Sequence, residues 1–171
     1  MADLKRLYRE LVSLEIELWS GIEERLRAAY DLPLTSFEVL HLLLRRPGRR
    51  IQDIAEEFSI TVGGTSKVVD RLEAAGLCAR RANPHDRRSS IVELTPQGRK
   101  LVDGALKVFE DELELRIGSV IPERSVRELT EVLATLRAAG RALEAERKAA
   151  GQRPVPGGRA RAPKQPGRPP S

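Results

Sequence analysis

The chain has 171 residues, 40% of them hydrophobic and 4% aromatic, which suffices for one ordinary domain around one core. Its longest nearly apolar run, Val39 to Leu44, contains His41 and falls far short of the roughly 18 to 20 residues a membrane span needs, so no membrane partner is expected. A lone Cys78 excludes an intrachain disulfide, and with only His41 and His85 available no usual structural zinc shell can form; no metal or other cofactor is expected.

The opening residues, MADLKRLYRE, interleave charge with leucine and lack the apolar stretch of a secretory signal, so a cytoplasmic location is expected. The formal net charge of +5 hides an uneven distribution. Residues 1 to 44 carry 5 basic against 8 acidic side chains, residues 45 to 100 carry 12 against 7, and residues 101 to 146 carry 6 against 10. The last stretch, 147 to 171, has 7 basic residues and no acid. The folded part is therefore basic only in its middle, which is where a surface that neutralises phosphates should lie.

Leu4, Leu7, Leu11, Leu14 and Leu18 alternate in steps of three and four, followed by Ile22 and Leu26, which predicts a long amphipathic helix over 4–29. A second row, Tyr8, Val12, Ile16 and Trp19, widens the apolar surface beyond what one neighbour covers, and the surplus suits a second subunit. Asp31, Leu32 and Pro33 end the pattern, Thr35 or Ser36 is placed to cap, and Phe37, Leu40, Leu43 and Leu44 form a short second helix before Pro47 and Gly48.

Ile51, Ile54, Ala55 and Phe58 are spaced for a third, short helix. After a turn at Ser59, Ile60 and Thr61, another helix runs from Val62 through Val68, Val69 and Leu72 to Gly76, a residue suited to the left-handed position that closes a helix. Two helices joined by a tight turn make a helix-turn-helix. The period then changes. Leu77 to Arg81 and Ser90 to Leu94 read as two strands joined by the eight-residue hydrophilic stretch ANPHDRRS, a wing. Thr95 and Pro96 supply an N-cap and a first-turn proline for a helix through Val102, Ala105, Phe109 and Leu113. Ser119 to Pro122 interrupt it, and a last helix repeats Val126, Leu129, Leu133, Leu136 and Leu143.

The expected fold is thus mainly α with a small β-wing, a winged helix-turn-helix flanked by N- and C-terminal dimerisation helices. The expected boundaries are a domain over 1–146, with a core at 35–98 and dimerisation helices at 4–29 and 96–146. A basic, proline- and glycine-rich tail at 147–171 is expected to be disordered.

The stretch TSKVVDRLEAAGLCARRANPHDRRSSIVELTPQG, from Thr65 to Gly98, resembles the MarR (multiple antibiotic resistance regulator) family of winged helix-turn-helix repressors. The resemblance covers about residues 4 to 143 and rests on an ordered combination: recognition helix, DRLE, glycine turn, wing with DRR, and a closing LTxxG. It implies a homodimeric transcriptional repressor that binds double-stranded DNA at a pseudo-palindromic operator. It also implies release by a small aromatic or phenolic effector held between the dimerising helices and the DNA-binding lobe, where Trp19 and Tyr8 are candidate lining residues, with a core or subunit contact as the alternative role for both. Gly63 and Gly64 stand where the family often has small polar residues.

The residues themselves point the same way. The N-terminal turns of the second helix of the motif would enter the major groove, bringing Thr61, Gly63, Gly64, Thr65, Ser66 and Lys67 to the DNA, with Arg71 one turn beyond Lys67. Two successive glycines imply close backbone approach to DNA or a helix that orders on binding, against the alternatives of tight packing on a neighbouring helix or simple tolerance. Arg71 serves a phosphate or pairs with Asp70 or Glu73, and Arg80 serves a phosphate or keeps its strand soluble. In the wing, guanidinium groups of Arg87 and Arg88 suit a narrow minor groove, and Asp86 is placed to pin Arg88. The family's oxidant sensors generally carry a cysteine near the first helix, and this chain has none there. Cys78 is expected to be an inert core residue.

No catalytic residue is assigned and no enzymatic activity is expected: the chain has no GxGxxG after a strand, no GxxxxGK[ST], no HExxH and no GxSxG. Adjacent carboxylates, Glu23 with Glu24 and Asp111 with Glu112, are expected in solvent-like helical settings. Two rival functions remain: a winged-helix adaptor that binds protein, and a nonspecific nucleoid-associated DNA binder.

Overall fold

The computed structural model describes residues 3–84 and 86–151. Among these residues six α-helices and one two-stranded sheet follow in the order α1 (Leu4–Tyr30), α2 (Leu34–Arg45), α3 (Ile51–Glu57), α4 (Val62–Ala74), β1 (Cys78–Asn83), β2 (Asp86–Leu94), α5 (Pro96–Leu113) and α6 (Glu123–Ala149). A π-helical turn, Glu114–Gly118, continues α5. This is the mainly helical winged helix-turn-helix that the periodicities predict. No helix of the described residues is long and apolar enough to cross a membrane.

Helix α1 begins where Asp3 accepts the Arg6 N–H at 3.0 Å and ends at Asp31, whose left-handed backbone (φ 49°) turns its N–H back to the Arg27 carbonyl. Only Gly21, Ile22 and Leu26 of this helix are buried, whereas Leu4, Leu7, Tyr8, Leu14 and Ile16 are exposed. The start of α2 departs from expectation. Neither Thr35 nor Ser36 caps it; the helix starts at Leu34 after Pro33, and the first N–H is satisfied from another element, the Glu23 carboxylate of α1 at 2.5 Å. Ser36 is buried inside the helix instead. A carboxylate at the positive end of a helix is favoured by both its hydrogen bond and the helix dipole. Glu23 is therefore a tertiary cap rather than a solvated surface acid.

The core gathers Leu26, Phe37, Leu40, Leu43, Ile54, Val69, Val92 and Val102, one or more from each of α1 to α5 and from β2. Each such side chain contributes roughly 1.5 to 3 kcal/mol through burial. The helix-turn-helix turn is tight: Ser59 takes a left-handed backbone (φ 53°), and the Ile60 N–H returns to the Ala55 carbonyl at 3.0 Å. Helix α4 closes as expected at Gly76 (φ 71°), with the Leu77 N–H on the Leu72 carbonyl at 2.9 Å.

The wing differs from the expected hairpin. Pairing runs from Cys78 opposite Leu94 to Ala82 opposite Ser90, then, past an irregularity, Asn83 opposite Asp86. The eight residues expected as a loop are thus mostly strand, and Asp86, Arg87 and Arg88 lie on β2. A side-chain hydrogen bond from Asn83 Nδ2 to Ser89 Oγ at 2.9 Å links the two strands beside the irregularity, a contact that hydrophobic alternation does not reveal. A backbone bridge, the Val92 N–H on the Arg49 carbonyl at 2.8 Å, ties β2 to the segment just before α3.

The chain divides into two compact units, residues 1–121 and 122–171. In the second, α6 extends to Ala149, three residues beyond the expected end of the folded part at 146, and none of its residues is buried within the chain. Its Leu129, Val132, Leu136 and Leu143 form an exposed apolar series. The tail from 152 onward lies outside the described residues.

Candidate nucleic-acid interface

Thr61 opens α4 by accepting the Gly64 N–H on its hydroxyl at 3.1 Å. The following residues, Val62, Gly63 and Gly64, are exposed, as are Lys67 and Arg71 further along. A Cβ built on Gly63 meets nothing within 4 Å, and one on Gly64 meets only the Thr61 hydroxyl at 3.1 Å. The glycines are therefore not explained by packing against a neighbouring helix, and they leave the first turn of α4 low and open to an incoming surface.

Thr65 is the exception among the expected contacts. It is fully buried, and its hydroxyl donates to the Thr61 carbonyl at 3.1 Å, so its side chain stabilises the start of the helix from the core side and is withdrawn from the contact set. Ser66 is half-buried. Lys67 and Arg71 form no ion pair with a described residue and stand four apart on one face of α4. Sequence patterning passed over Ile60 and Val62, which are apolar yet about half exposed at the mouth of α4. An exposed valine at such a helix end can meet a thymine methyl.

Arg80 is engaged within the chain. Its guanidinium donates to Asp70 Oδ1 at 2.5 Å and to Glu73 Oε2, and its backbone N–H donates to Glu73 Oε1 at 2.9 Å. These bonds hold the Glu73 carboxyl below the usual carboxylate range. Asp70 and Glu73 are thereby taken by Arg80, so the alternative pairing of Arg71 with them is not formed and Arg71 is left to solvent. Arg50, just before α3, pairs with Asp53 at 3.0 Å, and the charge of Asp86 at the start of β2 adds a lesser attraction. The side chains of Arg87 and Arg88, and all of His85, lie outside the described residues, as does any pairing of Asp86 with Arg88.

The MarR family model matches residues 30–89, which span α2 through the first strand and into the second. The HTH-type transcriptional regulator MhqR of Bacillus subtilis is 33% identical over 104 residues, 61% of this chain and 71% of that protein. The chain belongs to the MarR family. Among solved structures, the transcriptional repressor CouR bound to a 23-mer DNA duplex is 30% identical and superposes with a TM-score of 0.71, over 80% of this chain and 96% of that one. The Streptomyces coelicolor MarR-family regulator Sco3205, in complex with DNA, shares the fold with a TM-score of 0.75 at 20% identity, over 81% of this chain and 92% of its own.

As a MarR-family, DNA-binding transcriptional regulator, the protein carries its other conspicuous residues in structural settings. Cys78 is buried, its Sγ 3.8 Å from the Val69 carbonyl, and burial pushes its thiol up to about 11. That thiol is a poor nucleophile at neutral pH, in keeping with a core role. His41 stacks on Phe37 with ring centroids 5.5 Å apart, and burial together with nearby Arg45 lowers its pKa despite Glu110. Trp19 is half-buried and packs against the core. Among the described residues no group of three or more His, Cys, Asp or Glu is placed to hold a metal.

Proposed function

We propose that this MarR-family regulator acts in the cytoplasm as a homodimeric repressor on a pseudo-palindromic operator, each copy reading one half-site. The observation that carries the reading is the open first turn of α4: open space where a Cβ of Gly63 would stand, Lys67 and Arg71 in no ion pair among the described residues, and the wing sheet anchored beside it. Thr61, Gly63, Gly64, Ser66 and Lys67 approach the major groove, Arg71 the phosphates, and Arg87 and Arg88 the minor groove.

One helix and one wing read only a few base pairs, so two copies roughly 34 to 36 Å apart give affinity and register. The exposed leucines of α1 and the separate apolar series of α6 are what a second copy would cover. A small aromatic or phenolic effector releases the DNA, with Trp19 as the aromatic surface it meets. CouR, seen bound to a duplex, lends the DNA-bound form its precedent.

Labelled-duplex binding at several salt concentrations, with unrelated DNA as competitor, tests this. An operator reader shows a steep fall of log affinity with log salt and resists competition. A protein adaptor shows no salt-steep binding at all, and a nonspecific nucleoid protein shows the slope but yields to any DNA.

A further inference from the structure

We propose that Arg80 is a positioning residue: by tying the first wing strand to Asp70 and Glu73, it sets where the wing meets DNA relative to the recognition helix α4. The inference rests on the operator reading above and assigns Arg80 a task different from phosphate contact.

The chemistry of the cluster argues first. One guanidinium faces two carboxylates, and its side chain is only 26% exposed. The group as a whole is negative, on the one lobe of the chain that is otherwise basic. Carboxylates beside a DNA-reading helix oppose phosphate binding, so the cluster has no electrostatic value for the complex. Its value lies in geometry. Asp70 and Glu73 are three apart on α4, hence neighbours on its surface. Arginine's planar fork spans both, which a lysine's single ammonium cannot do in the same way.

The mechanics argue second. A two-stranded hairpin is marginal alone, and its direction must come from outside it. Here β2 is bridged to Arg49 by one backbone bond, while β1 is held to α4 through both the side chain and the backbone N–H of Arg80. Reading two grooves with two elements requires their separation to be fixed before binding; otherwise each encounter pays to order the wing. The Arg80 anchor supplies that fixed separation.

The test uses the full-length protein and a duplex that the wild type selects from genomic fragments, set against an unrelated duplex. Arg80→Ala should weaken binding to the selected duplex by about tenfold while leaving the slope of log affinity against log salt unchanged. Glu73→Gln removes a negative charge near DNA, which simple electrostatics says must strengthen binding; positioning says it weakens binding to the selected duplex by about threefold or more, with no loss on unrelated DNA. The Arg80→Ala, Glu73→Gln double variant should be no weaker than Arg80→Ala alone, and Arg80→Lys should restore only part of the loss. Circular dichroism establishes that each variant is folded.

Tighter or unchanged binding by Glu73→Gln overturns the proposal, as does a salt slope that drops by about 0.9 in Arg80→Ala, the mark of a lost phosphate contact. Amide hydrogen exchange on the free protein decides the anchor independently of any DNA. Arg80→Ala should speed exchange across β1, and unchanged exchange there overturns the anchor. A wild type that prefers no duplex defeats the operator reading instead, a result separable from the exchange measurement.

Discussion

Gly98, in the first turn of α5, lies directly against the carbonyl of Leu77, so closely that a Cβ at this position would overlap the oxygen. The same carbonyl accepts the Thr95 N–H at 3.1 Å, and the Thr95 hydroxyl donates to the Gly76 carbonyl at 2.6 Å while accepting the Gly98 N–H at 3.0 Å. The residues after the recognition helix are thus welded to the start of α5, and the glycine of the LTxxG pattern is what lets the two backbones touch.

Gly98→Ala should therefore destabilise the protein by about 2 to 3 kcal/mol, because backbone rather than a flexible side chain has to give way. Gly140→Ala, inside α6 where a Cβ meets nothing within 4 Å, should stabilise by roughly 0.5 to 1 kcal/mol. Thermal denaturation of the two variants side by side checks the contrast.

Glu112 was expected among solvent-like helical acids, yet its side chain is 4% exposed. It accepts from Arg116 Nε at 2.5 Å, and Arg25 Nε of α1 stands 3.6 Å from its other oxygen. Arg116 in turn lies over Gly21 of α1, where any Cβ would collide with its guanidinium. Glu112→Ala should cost roughly 2 to 3 kcal/mol, somewhat below a fully buried pair because both arginines reach solvent. Glu112→Gln should recover part of that loss, which denaturant unfolding of both variants would measure.

Cys78 gives a pH prediction with a definite sign. Its thiol is pushed from an ordinary 9.0 to about 11 in the fold, mainly by burial, so the unfolded chain releases this proton first as pH rises. Its contribution to stability is complete below about pH 9 and is lost between there and about pH 11. The stability gap between wild type and Cys78→Ala should narrow across that window. Alkylation of the native protein at pH 8 should be slow and should speed up in denaturant.

Much of this architecture was legible because its signals are local. The leucine steps of α1, the Thr95–Pro96 start of α5 and the left-handed Gly76 each encode their element within a few residues. What escaped was settled by distant partners. Glu23 caps α2 across 11 positions, and the stretch ANPHDRRS, largely strand, carries a cross-strand side-chain bond between Asn83 and Ser89 that no local pattern announces. In the candidate interface the same division holds. The exposed glycines and Lys67 follow from their place on α4, whereas Thr65 is turned inward by the helix's own phase, and Arg80 is claimed by two acids, neither adjacent to it in sequence.

The double glycine offers the sharpest separation of stability from function. Gly63 sits in ordinary helical backbone with open space where a side chain would be, so Gly63→Ala should stabilise the folded protein by roughly 0.5 to 1 kcal/mol. That corresponds to about 1 to 4 °C in melting temperature for a chain of this size. If α4 meets DNA at its first turn, the added methyl stands between backbone and duplex, and binding to the selected duplex should fall although the protein is more stable. A larger side chain, Gly63→Val, should deepen the binding loss. Melting curves and duplex titrations on the same preparations decide it: a variant that gains stability and keeps full affinity would mean that the major groove is entered by another part of α4.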